Sequence, residues 1–140
     1  MSARADHIVD IARGWIGTPY RHQASVRGAG TDCLGLIRGV WRALYGAEPE
    51  VPPAYSRDWS EPQRNEALWA AAARHLAERP VPMARAGDVL LFRMRARAVA
   101  KHLGIATGGG FVHAYGDHGV VESPLSAPWR RRIVAAFEFP

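Results

Sequence analysis

A chain of 140 residues, 48% hydrophobic and 22% charged, is long enough to bury one sizeable core and too apolar to be disordered. Its single cysteine excludes an internal disulfide framework and leaves a free thiol to account for. Eighteen basic against thirteen acidic residues, a formal charge of +5, suit either an anionic partner or general solubility.

Residues 1–17 do not read as a signal peptide, because Arg4, Asp6, His7, Asp10 and Arg13 interrupt any apolar run. No stretch approaches the roughly 18 apolar residues of a bilayer span. The expectation is a protein made in the cytoplasm, not membrane-spanning, and carried elsewhere by something else. Ile8, Ile11, Ala12 and Trp15 follow the spacing of an amphipathic helix, with Gly14 and Gly17 marking its end and Pro19 preventing continuation. Residues 27–30, Arg-Gly-Ala-Gly, read as a flexible loop. A second helix is predicted to start near Cys33, with Thr31 or Asp32 as N-cap, to bury Leu36, Ile37, Val40, Trp41 and Leu44, and to stop at Gly46. Residues 47–60 read as a proline-rich loop, and 62–79 as an alanine-rich helix with Leu68, Ala72 and Leu76 inward, ended by Pro80 and Pro82.

After Gly87-Asp88 the period changes. Residues 89–94, 103–107, 110–115, 120–123 and 133–139 read as strands, separated by tight turns such as Gly108-Gly109 and Asp117-His118-Gly119. Short strands on tight turns imply an antiparallel sheet. Helices followed by strands give an α+β fold, and no linker or repeat divides it, so residues 1–140 read as one domain. Residues 130–132 form a small arginine cluster on a solvated surface. That cluster and the proline-rich stretch from Pro49 to Pro62 are the candidate docking surfaces.

The chemistry starts at Thr31-Asp32-Cys33. A helix N-terminus offers unpaired N–H groups and the positive end of a dipole, both of which favour a thiolate. By position alone Cys33 is either an activated nucleophile or a buried structural cysteine. A nucleophile needs a base. If Gly108-Gly109 is a two-residue hairpin turn, His102 faces Tyr115 and Gly104 faces His113. His102 and His113 are then diagonal neighbours on one face, placed to act as base and orienting partner. Tyr20, just before the glycine loop, is either an oxyanion donor beside the Cys33 N–H or a half-buried tyrosine with its hydroxyl in water. A zinc site from Cys33, His102 and His113 is a further arrangement those residue types allow, although no fourth ligand is evident. Nucleic-acid binding rests on charge alone, without a recognition motif or aromatic ladder.

Five strings occur in order: Gly17-Thr18-Pro19-Tyr20, Asp32-Cys33-Leu34-Gly35-Leu36, Gly87-Asp88-Val89-Leu90-Leu91-Phe92, His102-Leu103-Gly104-Ile105 and Phe111-Val112-His113-Ala114. Together, over roughly residues 5–125, they resemble the NlpC family of papain-like cell-wall peptidases. The resemblance implies a papain-like fold, with N-terminal helices on an antiparallel sheet and no cofactor or metal. It implies Cys33 as nucleophile, His102 as base, His113 as its orienting residue and Tyr20 near the oxyanion. Asp32 matches the acid that places the substrate or the loop. The implied substrate is a peptidoglycan stem peptide, cut between D-glutamate and diaminopimelate or lysine. The Gly-Thr-Asp-Cys-Leu-Gly-Leu string and the length are similar to the short branch found in phage tails and gene transfer agents. That branch implies tail-tip or hub partners and action in a target periplasm or cell wall. The chain departs from the commoner pattern at Leu34, where a serine often follows the cysteine. A tail component with the fold but without hydrolysis, or another acyl-transfer chemistry, would share these features.

Overall fold

Residues 2–50, 52 and 66–140 are described by a computed structural model. Most of the expected proline-rich loop, the first residues of the alanine-rich helix and most of that candidate docking loop lie outside them. Ser2 opens helix α1 (Ala3–Arg13), its hydroxyl accepting from the Ala5 N–H at 3.0 Å. The helix buries Ile8, Val9 and Ala12, with Trp15 buried just past its end. Strands β1 (Ser25–Val26) and β2 (Gly30–Thr31) pair as a small hairpin where the sequence reads as a flexible loop. Two residues per strand are too few to leave a period-two signal. Helix α2 (Cys33–Tyr45) follows, capped by Asp32 and stopped at Gly46, whose φ of +89° suits glycine.

Helix α3 (Ala67–His75) is shorter than expected. Residues 77–79 form instead edge strand β3 (Ala77–Arg79), paired with β8 (Ile133–Glu138). Pro80 disfavours a helical Arg79, and the open side of β8 supplies the backbone partners that the helix would have supplied. The remaining strands are β4 (Val89–Phe92), β5 (His102–Ala106), β6 (Gly110–Ala114) and β7 (Val120–Pro124), each close to its expected span. They form a six-stranded sheet in the order β3-β8-β4-β5-β6-β7, antiparallel at every pairing. A short helix α4 (Ala127–Arg130), unsignalled in the sequence, joins β7 to β8. Among the described residues no helix is long and apolar enough to cross a membrane.

All residues of β4, β5 and β6 are buried, so both faces of the central sheet are covered. On one face Val89, Leu91, Leu103, Ile105, Val112 and Phe137 pack with Ile8, Leu36, Ile37 and Val40 of the two helices. On the other, Leu90, Phe92, Phe111 and Ala136 pack with Met94, Leu125, Trp129 and Ile133. The alternation of a strand therefore splits each sequence string between two cores. Gly39 lets α2 meet Trp15, since a Cβ there would lie 2.0 Å from the indole.

Candidate active site

The N-terminus of α2 is held by one carboxylate. Asp32, 2% exposed, accepts from the Gly35 N–H at 2.8 Å and from the Gln23 N–H at 2.7 Å. The second bond pins Gln23 at φ +65°, a left-handed conformation that costs a non-glycine residue roughly 1–2 kcal/mol. In this position Asp32 serves the loop that carries the nucleophile. Because the cap takes the N–H of the third helical residue, those of Cys33 and Leu34 point at the Cys33 sulfur. The thiol reaches the main chain on either side of His102, donating to the Lys101 carbonyl at 3.4 Å and lying on the Leu103 N–H. Room for it exists because β5 and β6 pair only at Ile105↔Val112 and Ala106↔Phe111, leaving the start of β5 unpaired on that side.

That register is the one a Gly108-Gly109 turn demands, and it brings the histidines together. His102 Nε2 and His113 Nδ1 are 2.8 Å apart, and His113 Nε2 is 2.9 Å from Ser123 Oγ. Gly104 stands beside them, where a Cβ would lie 3.3 Å from the His113 Cβ and 2.8 Å from the Phe111 ring. Both histidines lie on the sheet face away from the helices. Cys33 thus reaches the start of β5 from the helix side, at the Lys101 carbonyl, while His102, the first residue of that strand, lies on the opposite face. If His102 keeps Nδ1 open to receive the thiol proton, its Nε2 carries hydrogen and donates to His113 Nδ1. His113 then carries hydrogen on Nε2 and donates to Ser123 Oγ. Three adjacent strands each contribute one member of this chain.

Ser123 did not emerge from the sequence. Its register opposite Phe111, diagonal to His113, depends on the length of the β6–β7 turn, which sequence does not fix. Its hydroxyl, 2.9 Å from His113 Nε2, is placed to hold that ring. Ser123→Ala should lower turnover on the order of 10-fold, and Ser123→Thr should restore it. Nitrogen NMR should show His113 as the Nε2–H tautomer in the wild type and as a mixture in the alanine variant. An unchanged His113 spectrum would remove the role.

Burial dominates the electrostatics. An aromatic cage of Phe111, Tyr115 and Trp129 surrounds the pair, with ring centroids 4.1, 5.2 and 5.2 Å from His113 and Trp129 5.9 Å from His102. His102 is 9% and His113 0% exposed. Desolvation lowers His102 to about 3, with His113 adding to the effect, and lowers His113 to about 4. Cys33 is half-buried, with its thiol on the inner side. Burial, helped by the Asp32 carboxylate, pushes the thiol up to about 12. Desolvation thus opposes the thiolate expected at a helix end and favours a neutral thiol and a neutral imidazole.

A stability effect follows. Unfolded histidines titrate near 6.5, above their folded values. The unfolded state therefore binds more protons below pH 6.5, and stability present above 6.5 is lost as pH falls toward 4 and then 3. Each histidine should cost on the order of 1–2 kcal/mol at pH 5. Thermal melts at pH 8 and pH 5 should differ accordingly, and His113→Gln should reduce the difference. Melting that is flat from pH 7 to pH 4.5 would contradict the assignment.

Tyr20 is half-buried and forms a parallel bridge with Thr31, two residues before the nucleophile. The Thr31 N–H donates to the Pro19 carbonyl and the Arg21 N–H to the Thr31 carbonyl, both at 3.0 Å, so main-chain bonds carry Tyr20 to the start of α2. Leu34 lines a cavity of about 430 Å³ between α2 and α3, with Ile37, Leu68 and Leu103. The zinc arrangement does not match the geometry. A nitrogen pair at 2.8 Å shares a proton, whereas two Zn–N bonds of about 2.0–2.1 Å in a tetrahedral site hold their nitrogens more than about 3 Å apart.

The sequence model described as the NlpC/P60 family matches residues 17–138. No curated protein matches the chain. Among solved structures, the NlpC/p60 domain of the peptidoglycan hydrolase SagA aligns over 96% of this chain and 98% of that one, at 24% identity and a TM-score of 0.67. An NlpC/P60 family protein from Bacillus cereus aligns over 96% of this chain and 40% of its own, at 20% identity and TM-score 0.67. NlpC2 from Trichomonas vaginalis gives 99% and 48%, at 16% identity and TM-score 0.71. The chain spans less than half of the latter two, and at these identities the likeness is one of fold, the papain-like α+β arrangement described above.

Proposed function

The chain belongs to the NlpC/P60 family, and on that premise we propose that it is a cysteine peptidase that cleaves peptidoglycan stem peptides. The observation that carries this reading is a cysteine at the first position of α2 bonded to the Lys101 carbonyl, next in sequence to a hydrogen-bonded histidine pair at the start of β5. The solved relative covered almost completely by this chain is itself described as a peptidoglycan hydrolase domain.

In the proposed reaction the Cys33 sulfur attacks the peptide carbonyl while His102 takes the thiol proton, since the neutral pair favours transfer during attack. The oxyanion meets the Cys33 N–H and the Tyr20 hydroxyl. His102 then returns the proton to the leaving amine and draws one from the water that releases the acyl-enzyme. His113 and Ser123 hold its ring in the required tautomer, and Asp32 holds the loop. We read residues 1–140 as one catalytic domain and the scissile bond as that between D-glutamate and diaminopimelate. We further read the protein as a tail-associated wall hydrolase of a phage or gene transfer agent, acting with tail-tip or hub proteins. Support for this last step is the resemblance at residues 30–36.

The test is incubation with purified Gram-negative sacculi and mass analysis of the soluble products. New termini at a stem-peptide bond establish the activity and name the bond. Intact sacculi after prolonged incubation, with the thiol shown to be reduced, would reject it.

A further inference from the structure

The positive charge of this chain is not spread over its surface. Residues 93–101 and 130–132 hold seven of the eighteen basic residues and none of the thirteen acidic ones, leaving eleven basic against thirteen acidic elsewhere. The fold brings the two segments together. Phe92 pairs with His102 on one side and with Ile133 on the other, and the Arg93 N–H donates to the Arg132 carbonyl at 2.8 Å. Both segments therefore lie at the end of the sheet where β5 begins with His102 and where the Cys33 thiol reaches the Lys101 carbonyl. Arg95, Arg97, Arg130 and Arg131 are exposed. The Arg132 guanidinium sits 5.7 Å from the centre of the Trp129 ring, which packs against His102. Lys101 directly precedes the base, and its carbonyl receives the Cys33 thiol. Among the described residues the acidic groups at this end are Glu66, paired with Arg93 at 2.9 Å, Asp32, committed to its loop, and Asp117 in the turn after β6.

We infer that this arginine-rich rim binds the carboxylates of an acidic peptide and steers it toward Cys33 and His102, making the protein selective for stem peptides with free rather than amidated carboxyl groups. The choice of a peptide over another polyanion rests on the peptidase reading: the rim borders residues suited to attack on an amide carbonyl. Clustered like charges beside a cleft raise the local concentration of an oppositely charged ligand, and salt screens the effect over about 10 Å at 0.1 M.

Binding separates this inference from catalysis. The full chain carrying Cys33→Ala is titrated by fluorescence anisotropy with a labelled L-alanyl-D-glutamyl-diaminopimelate peptide and with its carboxamide form, at low and high salt. The expected result is a preference for the free-carboxylate peptide of ten-fold or more at low salt, shrinking at high salt. That preference should fall to within two-fold when Arg95, Arg97 and Arg131 are all changed to Gln. These side chains are exposed, so folding should persist, and a matching melt verifies it. Equal binding of both peptides, or an unaltered preference in the triple variant, would overturn the inference. So would tighter binding of a DNA oligonucleotide than of either peptide. Absence of sacculus hydrolysis with the carboxylate preference intact would reject the peptidase reading and leave this one standing.

Discussion

Cys33→Ala should abolish peptide release from sacculi, with a loss of turnover on the order of a million-fold and no loss of fold. In the proposed reaction the sulfur is the atom that bonds to the substrate, and Cys33 is the chain's single cysteine. Its thiol donates to the Lys101 carbonyl at the long distance of 3.4 Å, and sulfur is a weak acceptor for the neighbouring N–H groups of Cys33, Leu34 and Leu103, so its removal costs the fold little. Cys33→Ser should be nearly as inactive. His102, lowered to about 3, is a weak base for a hydroxyl that ionises far less readily than a thiol. His102→Ala should fail to the same degree and should not add to Cys33→Ala, because the two act as a unit. The check is rate of release beside a melting curve for each variant. An alanine variant that melts normally and still solubilises sacculi would exclude Cys33 as the nucleophile.

Gly35→Ala should be the most damaging single change outside the reacting groups. A Cβ there would lie 2.0 Å from the Ala24 carbonyl oxygen and 2.5 Å from Thr31 Oγ1. Main chain cannot rotate aside as a side chain can, so the hairpin β1–β2 and the start of α2 must part. The expected cost is about 3 kcal/mol or more, with loss of activity because the displaced residues flank Cys33. Gly39→Ala meets an equally close atom, but that atom belongs to the Trp15 indole, which has rotamers available. Melting temperatures should therefore rank wild type, then Gly39→Ala, then Gly35→Ala. A Gly35→Ala protein melting within about 3 °C of wild type would show that the hairpin yields easily.

Much of this site is legible in the sequence because its parts are local. Asp32 caps the helix that Cys33 begins, and a two-residue glycine turn dictates which β5 residues face which β6 residues. Those two facts place Cys33, His102 and His113 without knowledge of the sheet order. What is not local was not legible. Residues 77–79 look helical until β8 is beside them, and β1–β2 is too short for any period to show. Ser123 reaches His113 across a turn whose geometry sets the register only in three dimensions. The depth of burial around the thiol also comes from distant residues. Trp129, in a helix with no sequence signal, closes the cage that shifts both imidazoles.

The period-two alternation of β5 has a consequence for how such a protein can change over generations. Leu103 and Ile105 face the helices, where volume must be kept but identity is exchangeable. His102 and Gly104 face the other way, where a hydrogen bond of 2.8 Å and the lack of room for a Cβ beside Phe111 and His113 restrict the choice far more. Neighbours in one strand thus live under unrelated constraints, one drifting and one fixed. Core packing of that kind tolerates exchange, and chains that agree with this one at only 16–24% of aligned positions still superpose on it at TM-scores of 0.67 to 0.71.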